Sequence, residues 1–399
     1  MILGYMNKKK LLIFFRPYKY RESDKIRFET DEYDKKIRVH YVEIYDFLYG
    51  NKLFSNSNKF NKKIKSYKKF DDIRKYLKEV TSKYQKIYLI NFVPLENFRC
   101  LLTIISLYLF KKKNLKIIEI SNSGFPNRLI KNYFFILIKN FQFFEIIKKV
   151  KIRLINIFSS LFNFKADLYL FAGKKKKKAN IKIQSIKFNS WDYSNVQVQK
   201  KKLISSKSNY ILYIDGAGPK DLSDREHLGK KHFLTSDVWY KDLNIFFSRI
   251  EKIFNSRVYI SNHPLSKKKS SKYFCGRKDF TNQTMQLVKN SRFIITRQST
   301  AISYALYFKK PILLIYSNQN EKDFYDKNII QKLSQTLKLT PININDKIDL
   351  YTINKCIKLN KSKYKKYILN YISERKDCLP NSSILNKIIL NDNWKHKSP

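Results

Sequence analysis

Short apolar runs of strand length alternate with helical stretches along almost the whole chain, and this alternation restricts the fold more than any other feature of the sequence. In the first half the strand-like runs are LLIFF (11–15), VHYVEIY (39–45), KIYLINFVP (86–94), LKIIEISNSGFP (115–126), ADLYLFAG (166–173) and IKIQSIKF (181–188). Helical periodicity fills 73–84, 96–110 and 128–162. A second series follows: NYILYIDGAG (209–218), helix 237–254, RVYISNHP (257–264), helix 284–290, RFIIT (292–296), helix 299–309 and PILLIYS (311–317). Beyond 319 the pattern is mostly helical, with a short strand near PININ (341–345). Strand–helix alternation predicts parallel sheets covered by helices, because parallel neighbours need a crossover and a helix supplies it.

The length of 399 residues exceeds one ordinary core and predicts two domains. Between them, NSWDYSNVQVQKKKLISSKS (189–208) loses the apolar pattern and reads as the boundary. The expected division is 1–195, 209–375 and a helical tail 376–399, with two doubly wound, Rossmann-like domains facing a cleft. Ligands of such sheets bind at the carboxyl ends of the strands. Gly124, Gly173, Gly216 and Gly218 all follow predicted strands.

The net charge of +50 favours an anionic partner. It is a weak guide, because only 8 glycines beside abundant Lys, Asn, Ile, Phe and Tyr are also what AT-rich coding writes. The run KKKKK (174–178) reads as a solvated loop. Cys100, Cys275, Cys356 and Cys378 form no C-x-x-C pair, so neither a zinc site nor a disulfide framework is expected, and a reducing cytosol fits. The apolar run 11–15 is short for a signal peptide and Cys100–Phe110 is short for a membrane span. The mixed basic and apolar stretch 128–162 predicts peripheral association with an anionic inner membrane face.

Three strand-tip motifs carry chemistry. In YIDGAGP (213–219), Asp215 stands before Gly216 and Gly218; an exposed carboxylate there can act as a base, or it can cap a turn. In SNHP (261–264), His263 ends a strand and Pro264 fixes the backbone after it; the imidazole can serve a phosphate oxygen or a leaving group, or be structural. In RQST (297–300), Ser299 and Thr300 open a predicted helix, where free N–H groups favour an anion. Helix caps use the same residues. Arg297 adds a bidentate phosphate donor that a cap does not need.

Acidic-Gly, His-Pro and Ser-Thr in that order on strand tips of one domain resemble the bacterial surface-polysaccharide glycosyltransferase-like proteins of GT-B architecture. Bacterial sialyltransferases with acidic-Gly, HP and S-S/T motifs are among them. The likeness runs from about Ala166 to Ser317, through ADLYLFAG, YIDGAGP, WYKDLNIFFSRIE, VYISNHPLS, LVKNSRFIIT, STAISYAL and KKPILLIYS. It implies an acceptor-side first domain and a nucleotide-sugar-binding second one. Asp215 would be the base, His263 would contact the donor phosphate, and Ser299 with Thr300 would bond it, beside Gly216, Gly218, Pro264 and Arg297. The chain departs from the pattern where Gly216 replaces a second acid and where Arg297-Gln298 replace His-Ser.

No Asp-x-Asp occurs, so the resemblance implies metal-independent transfer of a sugar, sialic acid-like sugars included, from a nucleotide-activated donor to a glycan or glycolipid acceptor. No cofactor or metal is expected. Walker A, G-x-S-x-G and strand-borne G-x-G-x-x-G motifs are also missing. A nucleotide-sugar epimerase of the same fold, a non-catalytic scaffold of polysaccharide assembly and a basic nucleic-acid-binding protein are the alternatives. For the last, YKYRESDKIR and YKKYILNYISERK interleave aromatics with lysines without a recognised nucleic-acid motif.

Overall fold

The computed structural model describes residues 10–50, 64–95, 97–111, 114–121, 124–126, 147, 150–155, 157, 164–176, 183–205, 209–216, 218–219, 234–263, 271–321 and 324–391. Its strands are β1 (Lys10–Arg16), β2 (Ile37–Glu43), β3 (Ile64–Ser66), β4 (Ile87–Asn91), β5 (Leu115–Ser121), β6 (Leu168–Ala172), β7 (Ser185–Phe188), β8 (Tyr210–Ile214), β9 (Arg257–Ser261), β10 (Asp279–Phe280), β11 (Ile294–Thr296), β12 (Ile312–Tyr316) and β13 (Ile342–Asn343). They form two sheets, ordered β3-β2-β1-β4-β5-β6-β7 and β10-β9-β8-β11-β12-β13. Every pairing within them is parallel. Both sheets start in the middle and grow outward in two directions, which is the doubly wound, Rossmann-like order.

Burial explains why the strands read as unbroken apolar runs. In β1, Leu11 to Phe15 are all fully buried, because helices cover both faces of the sheet. Leu11, Ile13 and Phe15 enter one core cluster, and Leu12 and Phe14 the cluster on the opposite face. The edge strands β3 and β10 escaped the sequence reading; at three and two residues they are too short to show a period.

The helices that matter below are α1 (Glu22–Arg27), α2 (Phe70–Lys83), α3 (Phe98–Leu109), α4 (Trp191–Gln199), α5 (Ser236–Phe254), α6 (Thr284–Asn290), α7 (Ile302–Tyr307), α8 (Phe324–Leu337) and α9 (Asn381–Asn391). In α5, Trp239, Leu243, Phe246, Phe247, Ile250 and Phe254 are buried at three-four spacing. Each such side chain contributes ~1.5–3 kcal/mol on burial. The helix ends at Asn255, whose left-handed φ of 44° suits an Asn cap. Asn97 caps α3 by accepting from the Cys100 N–H at 2.8 Å.

Three expectations need correction. The polar stretch after 189 contains a buried helix, α4, rather than a solvated linker: Ser194, Asn195, Val196 and Gln197 are all buried. Ser194 finds its partner inside and donates to buried Glu29. Within the lysine run, Lys174–Lys176 form a 3-10 turn with Lys176 buried, and that burial lowers its pKa to about 8. The helix foreseen over 299–309 is only the six residues of α7. Of the region 128–162, residues 147, 150–155 and 157 are helical and the rest lies outside the described residues.

The last helix returns to the first sheet. Ile384, Leu385, Ile388 and Ile389 of α9 pack with Leu12, Phe14 and Tyr41, while Lys10 Nζ donates to the carbonyls of Ile389 and Leu390 at 2.8 Å each. A cation on the last carbonyls suits the negative end of the helix.

Candidate functional site

The order of the second sheet reverses between β8 and β11, so the carboxyl ends of these strands form its topological switch point. Register then places the motif residues. Ile214 pairs with Ser261 of β9 and with Thr296 of β11, so the next residue, Asp215, is level with Asn262 and Arg297. Three of the sequence motifs therefore meet at the tips of three adjacent strands.

Asp215 is buried, only 4% exposed, where an exposed carboxylate is expected. Its N–H donates to Ser261 O at 3.0 Å, and the Tyr213 hydroxyl lies 3.5 Å from Oδ1. Burial, then the Asp215 charge, pushes the Tyr213 phenol well above its usual pKa, so it stays a neutral donor. The two glycines that follow serve close packing. A Cβ on Gly216 would stand 2.2 Å from Gln298 O, and one on Gly218 would stand 2.3 Å from Tyr240 Oη. Only residues without a side chain let the β8 loop approach the β11 loop and α5 this closely.

Arg297 is also differently placed from the expectation of a phosphate donor. It is 2% exposed, its Nη1 donates to Asp326 Oδ2 of α8 at 2.6 Å, and its guanidinium lies 5.4 Å from the Trp239 ring centre. Gln298 Nε2 donates to Asp326 Oδ1 at 3.1 Å and Asn320 Nδ2 to Oδ2 at 3.1 Å. Asn320 Oδ1 in turn accepts from the N–H and hydroxyl of Ser317, just past β12. One buried carboxylate thus ties the β11 and β12 tips together, and Arg297 is its charged partner.

Ser299 and Thr300 are half-buried and precede α7 in a hydrogen-bonded turn. Ser299 Oγ accepts from the Ala301 N–H at 3.2 Å, while Ile302 and Ser303 donate to the Ser299 and Thr300 carbonyls at 3.2 and 3.1 Å. His263 is half-buried beyond β9. The residues before it are anchored: Ser261 Oγ lies 2.7 Å from Thr284 Oγ1 of α6, and Asn262 Nδ2 donates to Asp279 Oδ2 at 2.8 Å. Pro264 lies outside the described residues.

A second cluster joins the two sheets and was not foreseen. Gly124, past β5, has φ +67°; a Cβ there would lie 3.6 Å from Ser303 Oγ of α7 and 4.0 Å from Ser190 Oγ, just before α4. The Tyr367 hydroxyl donates to Gly124 O at 3.0 Å, and Ser190 N–H donates to Ile372 O at 2.8 Å. Ser303 is 0% and Ser190 3% exposed, and neither hydroxyl has a protein hydrogen-bond partner. Buried hydroxyls without partners are costly, and native proteins keep few of them. Loops at the carboxyl ends of both sheets therefore converge on two unsatisfied donors. Ser190 lies in the stretch read as the domain boundary, and Ser303 and Asp326 lie inside helical stretches, so none of the three carried a sequence signal.

At the first sheet's tips, Arg16 pairs with Asp24 of α1 at 2.5 Å. Burial would raise Asp24, but Arg16, then Arg27 and Arg21, outweigh it and hold the carboxyl below its usual range. Glu43 accepts from the Tyr20 N–H at 2.7 Å and from the Ser66 hydroxyl at 2.5 Å. Glu29 accepts from Ser194 and, at 2.7 Å, from the Ser382 N–H. Among the described residues no group of three or more His, Cys, Asp or Glu is arranged to hold a metal ion.

No family model matches the sequence, and no curated protein matches it either. Solved structures do share its shape. The wall teichoic acid polymerase TagF is 12% identical, with 98% of this chain and 90% of that one covered and a TM-score of 0.50. MnaA of S. aureus, in a co-structure with UDP, is 13% identical over 98% and 99% of the two chains, with a TM-score of 0.48. Acinetobacter baumannii MurG is 7% identical over 96% and 99%, with a TM-score of 0.44. At these identities the likeness is one of fold: the chain has the α/β, two-sheet GT-B architecture.

Proposed function

We propose that the protein is a metal-independent glycosyltransferase that moves a sugar from a nucleotide-activated donor to a polysaccharide, lipooligosaccharide or other glycan acceptor of the cell envelope. The observation that carries this reading is the convergence at Gly124. There a loop of the first sheet meets Ser303 beside the Ser299-Thr300 turn of the second and Ser190 before α4, two buried serines whose hydroxyls have no protein partner. A donor held by its phosphates at the second sheet's switch point would put its sugar between the two sheets, where an acceptor can reach it.

The roles follow from exposure. Ser299, Thr300 and His263 are half-buried and are the groups assigned to the donor phosphates. Imidazolium and hydroxyl donors can offset leaving-group charge without a metal. Gly216, Gly218, Arg297 and Asp326 position that turn, and Asp215 remains the assigned base. Pro264, next to His263 in the sequence, is the further residue assigned to the donor side in this reading. The epimerase alternative calls for further acids facing the ligand, and Asp24, Glu29 and Glu43 are instead held by Arg16, by Ser194 and Ser382, and by Tyr20 and Ser66.

Calorimetric titration with cytidine, uridine, guanosine and thymidine nucleotide sugars, with and without EDTA, tests the proposal. A ligand at a hundredfold its Kd should also raise unfolding free energy by ~2.7 kcal/mol. His263→Ala should weaken donor binding and turnover together, while Asp215→Asn should spare donor binding and stop transfer. Lack of binding by every nucleotide sugar would defeat the proposal, and binding abolished by EDTA would defeat its metal-free part.

A further inference from the structure

The crossover between β5 and β6 carries helical residues 147, 150–155 and 157. On it Ile147, Val150, Leu154 and Ile157 are 64%, 47%, 61% and 56% exposed. Steps of three, four and three residues place them on one helix face. A helix packed on a sheet turns such a stripe inward; here Ile155 is buried and the stripe faces out. Lys151 and Arg153 are exposed beside it. Over 128–162 the sequence has seven Lys and Arg and a single acid, Glu145.

A second helix on that side of the sheet also exposes apolar side chains. Right-handed crossovers from β4 to β5 and from β5 to β6 put α3 and this helix on the same side of the first sheet. The carboxyl end of α3 meets the segment that leads into β6, with the Tyr108 and Phe164 ring centres 4.8 Å apart and Lys111 Nζ donating to Lys165 O at 2.7 Å. On α3, Phe98 is 59% and Leu109 74% exposed, three helical turns apart on one face. Six of the thirteen exposed large apolar side chains among the described residues thus belong to these two helices. Scattered exposed apolar residues need no explanation, whereas a concentration of them does.

We propose that this side of the first domain docks on an anionic phospholipid surface, with the apolar stripe entering the headgroup region and Lys151 and Arg153 at the phosphates. Charge decides between occupants. A second copy of a chain carrying +50 would bring like charge onto the patch, while an anionic bilayer complements it. Long basic side chains flanking an apolar stripe can lie along it and keep their charges at the phosphates. The mode is peripheral, since no described helix is long and apolar enough to cross a membrane. The inference stands apart from the reading of the strand-tip site.

Flotation of the full chain with phosphatidylglycerol-containing vesicles, against pure phosphatidylcholine vesicles, at low and high salt tests it. The wild type should float with the anionic vesicles at low salt and be released by salt. Leu154→Glu with Ile157→Glu, and separately Lys151→Glu with Arg153→Glu, should weaken partition about tenfold or more. Leu350→Glu, an exposed apolar position elsewhere, should float like wild type, and thermal melts should show all variants folded. Failure of the wild type to float at low salt, or flotation of folded patch variants like wild type, would overturn the proposal. So would a concentration-dependent dimer in sedimentation that the Leu154→Glu, Ile157→Glu pair abolishes, which would assign the face to a second copy.

Discussion

Arg297 Nη1 lies 2.6 Å from Asp326 Oδ2, and both side chains are 2% exposed. A buried pair is weak evidence of net stabilisation, yet breaking one strands a charge in a medium that solvates it poorly. Arg297→Ala and Asp326→Asn should each lower stability by ~3–5 kcal/mol. The double variant Arg297→Met, Asp326→Leu should recover most of that. Urea unfolding of the three proteins measures it. Were Arg297 instead a phosphate ligand, Arg297→Ala would weaken nucleotide binding and leave the unfolding midpoint in place.

Gly218 and Tyr240 form a second checkable pair. Gly218→Ala should destabilise by ~1–3 kcal/mol, because its Cβ would stand 2.3 Å from Tyr240 Oη. Adding Tyr240→Phe removes that oxygen and leaves a ring carbon, Cζ, at 3.2 Å, so part of the loss should return. Gly216→Ala has no such remedy: it meets the Gln298 backbone carbonyl at 2.2 Å, and a backbone cannot be trimmed. Thermal melts that rank Gly216→Ala as the milder change would contradict this geometry.

His40 supplies a pH dependence. Burial, then the positive charges of Lys65, Arg38 and Lys83, lowers its pKa from 6.5 to about 4, and its Nδ1 lies 2.9 Å from the Tyr76 hydroxyl. Between those pH values the unfolded chain binds a proton that the folded protein does not. Stability from this residue is therefore complete above about pH 6.5 and is lost as pH falls toward 4, by ~3 kcal/mol from the shift itself and on the order of 2 kcal/mol after screening by solvent. His40→Gln should flatten that part of the stability–pH curve in equilibrium unfolding. An unchanged slope would rule the residue out as the source.

Ser190 and Ser303 separate a ligand site from an accident of packing. Removing a buried hydroxyl that has no partner costs little and can stabilise. Ser190→Ala and Ser303→Ala should leave the melting temperature unchanged or slightly raised. If both bond the donor sugar or its phosphate, each change should weaken nucleotide-sugar binding by about tenfold, ~1.4 kcal/mol. Binding at wild-type strength in both variants would remove them from the site.

Much of the architecture is legible in the sequence alone. The continuous apolar run Leu11–Phe15 and the three-four spacing of Trp239, Leu243, Phe246 and Ile250 are local patterns set by what covers one strand or one helix face. Their order determines a parallel α/β chain, and it also places Asp215, Asn262 and Arg297 at strand tips. What those side chains do there is decided by residues far along the chain. A guanidinium has the same chemistry whether it meets a phosphate or Asp326, and only the packing of α8 against the β11 tip brings the carboxylate within 2.6 Å. The buried polar face of α4 and the return of α9 to the first sheet are hidden for the same reason. Local periodicity records whether a residue is covered; which distant group covers it, and whether a hydroxyl such as that of Ser303 is left unsatisfied, exists only in the assembled tertiary structure.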